Sequence, residues 1–154
     1  MPDTPIALDH SDFIQSRHWP DEVTAEAICA VIARCFNGVD PQDYYRKYFL
    51  ADDCFERRLR LFYHEDQLAG YCLITFRRYR VNQRPVVALG ASAGFLPEYR
   101  SGNNTVPFSI RSALGYWLRH PWQRVYFADT MLSPAMYRVM AKNMPCLLYT
   151  SPSP

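Results

Sequence analysis

Three strand patterns follow one another between residues 58 and 95, with helical patterns before and after them. That order limits the chain to folds in which a largely antiparallel sheet is flanked by helices. Leu59, Leu61 and Tyr63 alternate with Arg58, Arg60 and Phe62, the period of a strand with one buried face. The polar turn His64, Glu65, Asp66, Gln67 leads into a second strand over residues 68–79, so the pair reads as a hairpin. Asn82, Gln83 and Arg84 make the next turn, and residues 85–95 form a third strand that Pro97 ends.

The flanking segments have the helical period. Ala25, Ile28, Val31, Ile32 and Cys35 recur at helical spacing over residues 24–36, with Gly38 as the stop. Asp40 followed by Pro41 starts a second helix in the preferred way, with the stripe Tyr44, Tyr45, Tyr48 and Phe49. Val106, Ile110, Leu114, Trp117 and Leu118 mark a long helix ending near His120 and Pro121. Residues 124–129 read as another strand, and Ser133 and Pro134 open a final helix over 135–143. The expected class is α+β (mixed α/β), one domain over residues 1–145.

Composition removes several functions. Net charge is +2, with basic and acidic residues nearly balanced, which argues against a dedicated nucleic-acid binder. No apolar run approaches the roughly 20 residues of a membrane span, and residues 1–16 lack a secretory pattern. The five cysteines form no C-x-x-C pair and the four histidines are scattered, so no zinc site is expected. Cys29 and Cys72 fall on apolar faces, which fits a reducing compartment and makes the cytoplasm the expected location.

The chemistry is concentrated where the third strand runs into the long helix. Gly90, Ala91, Ser92, Ala93 and Gly94 are small enough for a second backbone or a ligand to approach closely. Ser101, Gly102, Asn103, Asn104 and Thr105 stand where the helix begins, where backbone N–H groups lack intrahelical partners. With the helix dipole behind them they suit an anion such as a pyrophosphate, and Arg100 can add a charge-assisted contact.

The element order, together with Leu96, Pro97, Glu98, Tyr99 and Arg100 between a strand and a long helix, resembles the GNAT superfamily of acyl-CoA N-acyltransferases. The resemblance runs from about residue 24 to 145 and includes the hairpin residues 62–74. It implies a sheet with helices on its faces, acetyl-CoA or another acyl-CoA as co-substrate, and an amine acceptor. It also implies a CoA-binding loop formed by Phe95, Leu96, Arg100, Ser101, Gly102, Asn103, Asn104 and Thr105. The chain departs from the family pattern at Asn103 and Thr105, where small residues are usual, with Gly102 one position early.

The family's chemistry needs a base for the amine and an acid for the departing thiolate. The usual tyrosine position falls on Met140; Tyr137, one turn earlier, is the candidate acid, and Asp129 and Glu98 are candidate carboxylates. A tyrosine packed with its hydroxyl at a rim and acids at strand ends are equally ordinary features. Ser92 reads as a packing residue first and a polar contact second. Tyr44, Tyr45 and Tyr48 read as core or as lining of an acceptor pocket. Phe76, Arg77, Arg78, Tyr79 and Arg80, with Arg57, Arg58 and Arg60 on the neighbouring strand, form a basic and aromatic cluster that reads first as the solvated end of a hairpin and second as a surface for nucleic acid or an acidic substrate. A catalytically silent protein of the same fold is the competing reading.

Residues 146–154 resemble translated sequencing adapter, and the expectation is a non-native tail, with the natural protein continuing past Pro145. Family members close the sheet with two further strands, for which residues 146–154 offer no pattern. The polypeptide as written is therefore expected to aggregate through the edge at Val125. Light scattering of a 1–145 polypeptide tests this: a monodisperse, cooperatively melting sample would overturn it.

Overall fold

The computed structural model describes residues 6–100 and 105–128. Among these residues a five-stranded sheet has its strands in chain order, β1 (Asp9–Ile14), β2 (Glu56–His64), β3 (Gln67–Val81), β4 (Arg84–Phe95) and β5 (Arg124–Phe127). The first four are antiparallel to their neighbours, and β5 lies parallel to β4. Helices α1 (Glu22–Cys35) and α2 (Pro41–Tyr45) precede β2, and α3 (Thr105–Arg119) connects β4 to β5. Among the described residues no helix is long and apolar enough to cross a membrane, and no cluster of His, Cys, Asp and Glu has the makings of a metal site.

Local chemistry sets the helix starts. Asp21 accepts the Thr24 N–H at 2.9 Å and Asp40 accepts the Asp43 N–H at 2.8 Å, so both helices open on a carboxylate cap. The bond to Thr24 holds the Asp21 carboxyl below its usual range. After α2 the chain widens into a π-helical turn, Arg46–Leu50, within the segment read as one helix. Burial explains the shift: Tyr44, Tyr45 and Phe49 all reach the core, and the wider turn keeps them on one side.

The sheet is buried on both faces. Ile28, Ile32, Phe49, Leu59, Leu61, Tyr71 and Leu73 form one core under α1 and α2. Phe62, Cys72, Ile74, Phe76, Leu89, Phe108 and Tyr116 form the other, under α3. Each of these buried apolar side chains stabilises the fold by about 1.5–3 kcal/mol. Burial pushes the Cys72 thiol up to about 12.

Four sequence expectations change. Asp9–Ile14, in the N-terminal segment to which the sequence assigned no element, is an edge strand; its mostly exposed residues leave no alternation to see. β2 has two covered faces, not one, because Arg58 and Arg60 lie under α3. Arg58 donates to the Ser112 carbonyl at 3.1 Å and stands over the Phe76 ring; Arg60 stands 4.6 Å over the Phe108 ring while gripping Asp12 at 2.6 and 2.7 Å. The same contacts rotate α3. Its inward face is Phe108, Ser112 and Tyr116, and the apolar stripe points outward, leaving Ile110 and Leu114 50% and Leu118 63% exposed.

The fourth correction concerns the arginine run. Arg78, Tyr79 and Arg80 are solvated, but Arg57 is buried. Its guanidinium donates to the Tyr48 carbonyl at 2.8 Å, to the Ala51 carbonyl, to Gln15 Oε1 at 3.2 Å and to Asp53 Oδ1 at 2.8 Å. Arg77 holds the other Asp53 oxygen at 2.6 Å. Partial burial of Asp53 opposes its charge, but the hydrogen bond and charge of Arg77, with Arg57 behind it, prevail and hold the carboxyl below its usual range.

Arg57→Ala strands two main-chain carbonyls and is expected to cost about 3 kcal/mol in urea denaturation. Arg80→Ala is expected to change stability by no more than about 0.5 kcal/mol. Equal effects of the two substitutions would refute the structural role of Arg57.

Candidate functional site

β4 is paired unequally along its two edges. β3 accompanies it throughout, from Arg84 opposite Val81 to Phe95 opposite Gly70. β5 accompanies it only from Val86 to Leu89, and the last bond of that ladder runs from the Ala128 N–H to the Leu89 carbonyl at 2.9 Å. Among the described residues, residues 92–95 therefore carry a strand on one side alone. They lead through Leu96 and the 3-10 turn Pro97–Tyr99 towards the first turn of α3 at Thr105. Pro107 sits in that first turn, where a missing N–H costs nothing.

The structure places four of the predicted loop residues. The Phe95 ring packs 5.1 Å from Phe62, and its carbonyl accepts from the Cys35 thiol at 3.1 Å and from Arg100 Nε at 3.2 Å. Leu96 is buried, and its N–H donates to the Ala69 carbonyl at 2.9 Å. Arg100 is exposed with its guanidinium beside the end of β4. Thr105 is the first residue of α3, and its carbonyl accepts from Ser109 Oγ at 2.9 Å. Ser101, Gly102, Asn103, Asn104, Asp129 and Tyr137 lie outside the described residues, as does the final helix expected over 135–143. Glu98 is exposed on the 3-10 turn, 3.6 Å from Arg34.

A hydroxyl cluster stands on the α1/α2 side of β4. Tyr44 and Ser92 share a hydrogen bond of 2.8 Å, and the Tyr71 hydroxyl donates to that of Tyr44 at 3.5 Å. Burial, with Tyr44 beside it, drives the Tyr71 pKa far above its ordinary value, so this group stays protonated and uncharged. Phe36 stacks on Tyr44 at 5.3 Å, and the Tyr48 ring lies 4.4 Å from that of Tyr44. The cluster can orient a polar group through neutral hydroxyls; it does not supply a base. Ser92 thus makes a polar contact within the packing, and Tyr44 is a core residue with its hydroxyl in use.

Sequence reasoning did not connect these three residues. Forty-eight positions separate Tyr44 from Ser92, and only the packing of α2 on β4 joins them. Small residues were the one local signal. A Cβ at Gly94 would stand 2.9 Å from Tyr71 Cε1 and 3.5 Å from Cys35 Sγ, so on that face the space is taken by the chain's own tyrosine. Cys35 is half-buried there; burial raises its thiol pKa, against the pull of Arg100 and Arg34.

This arrangement can be set beside known proteins. An aminoglycoside N-acetyltransferase in complex with CoA superposes at TM-score 0.54 and 15% identity, covering 97% of this chain and 95% of its own. A ribosomal-protein-alanine N-acetyltransferase from Brucella melitensis biovar Abortus 2308 superposes at TM-score 0.58 and 8% identity, covering 96% and 98%. The chain has the GNAT fold. A transcriptional regulator from Bacillus halodurans C-125 shares it with TM-score 0.57 and 10% identity, covering 96% and 98%. No protein-family model matches the sequence, and no curated protein does.

Gly94→Ala is expected to destabilise the protein by about 1–3 kcal/mol in chemical denaturation, because the fully buried Tyr71 ring has nowhere to move. Unchanged stability would mean that the contact between Gly94 and Tyr71 is looser than the structure shows.

Proposed function

We propose that this chain is an acyl-CoA-dependent N-acyltransferase, moving an acetyl or other short acyl group to an amine. The observation that carries this reading is the strand end at residues 92–95, paired on one side among the described residues and leading to the first turn of a long helix. The pantetheine arm of CoA is an extended chain with two amides, and such a chain adds to a strand edge through main-chain hydrogen bonds. Its pyrophosphate suits the N–H groups and dipole at the start of α3. The neighbour solved with CoA supports the choice of cofactor. Arg100, Ser101, Gly102, Asn103, Asn104 and Thr105 would hold the phosphates, with Phe95 and Leu96 shaping the approach.

The Ser92, Tyr44 and Tyr71 hydroxyls lie on the α1/α2 side, where the acceptor would enter. Ser92, part-exposed where Tyr44 and Tyr71 are buried, would orient a reacting group without trapping a charged amine, leaving proton removal to a carboxylate or an ordered water. Asp129 as the carboxylate and Tyr137 as the acid for the thiolate remain our assignments for those steps. Neighbours that act on an aminoglycoside and on a ribosomal protein show how differently acceptors are served on one fold, so the acceptor here is defined only as an amine.

A second reading, a silent binder of CoA or a related ligand, draws on Met140 at the usual tyrosine position and on Asn103 and Thr105 in the loop. The neighbour named a transcriptional regulator supports such a use of the fold.

Calorimetric titration of acetyl-CoA followed by a thiol-release assay against an amine panel separates the readings. Micromolar binding with sustained CoA release is the expected result. Binding without release would establish the silent binder, and no binding by a folded protein would refute both.

A further inference from the structure

The near-neutral total charge conceals a segregation. Thirteen of the 15 acidic residues precede residue 67, whereas residues 67–128 contain eight arginines, no lysine and a single carboxylate, Glu98. The fold gathers part of that excess at one end of the sheet, far along β4 from Phe95.

Strand register defines the arrangement. On the face away from α3, Tyr79 stands opposite Val86, which stands opposite Arg124. In the next row Arg77 stands opposite Ala88, which stands opposite Tyr126. The parity is fixed by the other face, where Phe76, Val87, Leu89, Val125 and Phe127 pack against the α3 core. Val86 and Ala88 make a low, buried floor, and the tyrosines rise on opposite diagonals with Tyr79 52% and Tyr126 45% exposed. Strand spacing and rise put the two tyrosines roughly 12 Å apart. Arg84, exposed at the β3–β4 turn, borders the same face.

Arg77 is held by Asp53, whereas Arg84 and Arg124 carry no ion pair among the described residues. Ion pairs of the described residues use Arg34, Arg46, Arg57, Arg58, Arg60 and Arg77. Solvated arginines at a hairpin end discourage edge pairing, but that role needs no exposed tyrosines on a flat floor between them.

We propose that this platform binds single-stranded nucleic acid. Two half-exposed tyrosine side chains on one sheet face suit unpaired bases, which stack without regard to sequence, and a separation of roughly 12 Å suits bases about two nucleotides apart. Planar guanidinium groups at the margins suit phosphates, either bidentate or stacked beside a base. An acidic peptide would use the arginines and leave the tyrosines idle, and duplex DNA would offer no base faces.

The test is fluorescence anisotropy of the full chain with a labelled 12-nucleotide single-stranded RNA of mixed sequence. Binding at 50 mM salt is expected to weaken about 10- to 20-fold at 200 mM, as for about three neutralised phosphates. Tyr79→Ala and Tyr126→Ala are each expected to cost at least fivefold, and Arg84→Ala with Arg124→Ala to flatten the salt dependence. Thermal melts of each variant, together with the conservative Tyr79→Phe, which should retain binding, separate stacking from misfolding. Saturating acetyl-CoA should leave binding unchanged, so the result stands or falls separately from the acyltransferase reading. No binding at 50 mM salt, insensitivity to both tyrosine substitutions, displacement by acetyl-CoA, or tighter binding of a glutamate-rich peptide would each overturn the proposal.

Discussion

The central strand has to be covered on both faces, and most of the architecture follows from that requirement. In β3 every residue from Leu68 to Phe76 is buried. A run of that length has no solvent face, so helices must lie on both sides of the sheet. α1, α2 and the π-helical turn meet Tyr71 and Leu73; α3 meets Cys72, Ile74 and Phe76. β2 and β4 then satisfy its backbone groups on either edge. β4 therefore lies one strand from the centre, close enough for Gly94 to sit over the Tyr71 ring and for Ser92 to reach Tyr44.

Arginine does much of the joining between layers. Arg57 ties β2 to the main chain that leaves the π-helical turn, and through Asp53 to Arg77 on β3. Arg58 and Arg60 spread over aromatic rings and fix which side of α3 faces inward. A guanidinium can do this because it is planar, weakly hydrated and rich in donors, so its burial costs less than that of an ammonium with the same charge. Once these cations are engaged, the remaining positive charge of β3, β4 and β5 stands at one end of the sheet.

The two ends of β4 are consequently unlike. One end is flanked by β5, floored by Val86 and Ala88, and bordered by tyrosines and by Arg84 and Arg124, which have no carboxylate partner among the described residues. The other is lined by small residues, paired on one side among the described residues, and adjoins neutral hydroxyls and a helix start. One strand can thus present two chemically separate surfaces.

Local periodicity and capping were readable directly. Asp40 starts its helix as a short side chain that reaches back to the backbone must, as Asp21 also does at a start the sequence reading placed later, and the turns at Glu65, Asn82 and Gln83 adopt left-handed conformations where the strands break. The strand–turn–helix passage from Gly94 to Thr105 was visible because glycine, proline and polar residues act on their immediate neighbours. By contrast, the apolar stripe of α3 pointed outward, since Arg58 and Arg60 selected a different face, and the polar residues of Asp9–Ile14 carried no sign that an edge strand would form. The hydroxyl cluster of Tyr44, Tyr71 and Ser92 and the buried setting of Arg57 depend on contacts between residues far apart in the chain. Sequence alone determined the order of α1, α2, the β2–β3–β4 strands, α3 and β5 and roughly where each lies, because those choices are made within a few residues; only the tertiary structure added the edge strand β1 and decided which faces meet, because burial and hydrogen-bond satisfaction are settled between elements.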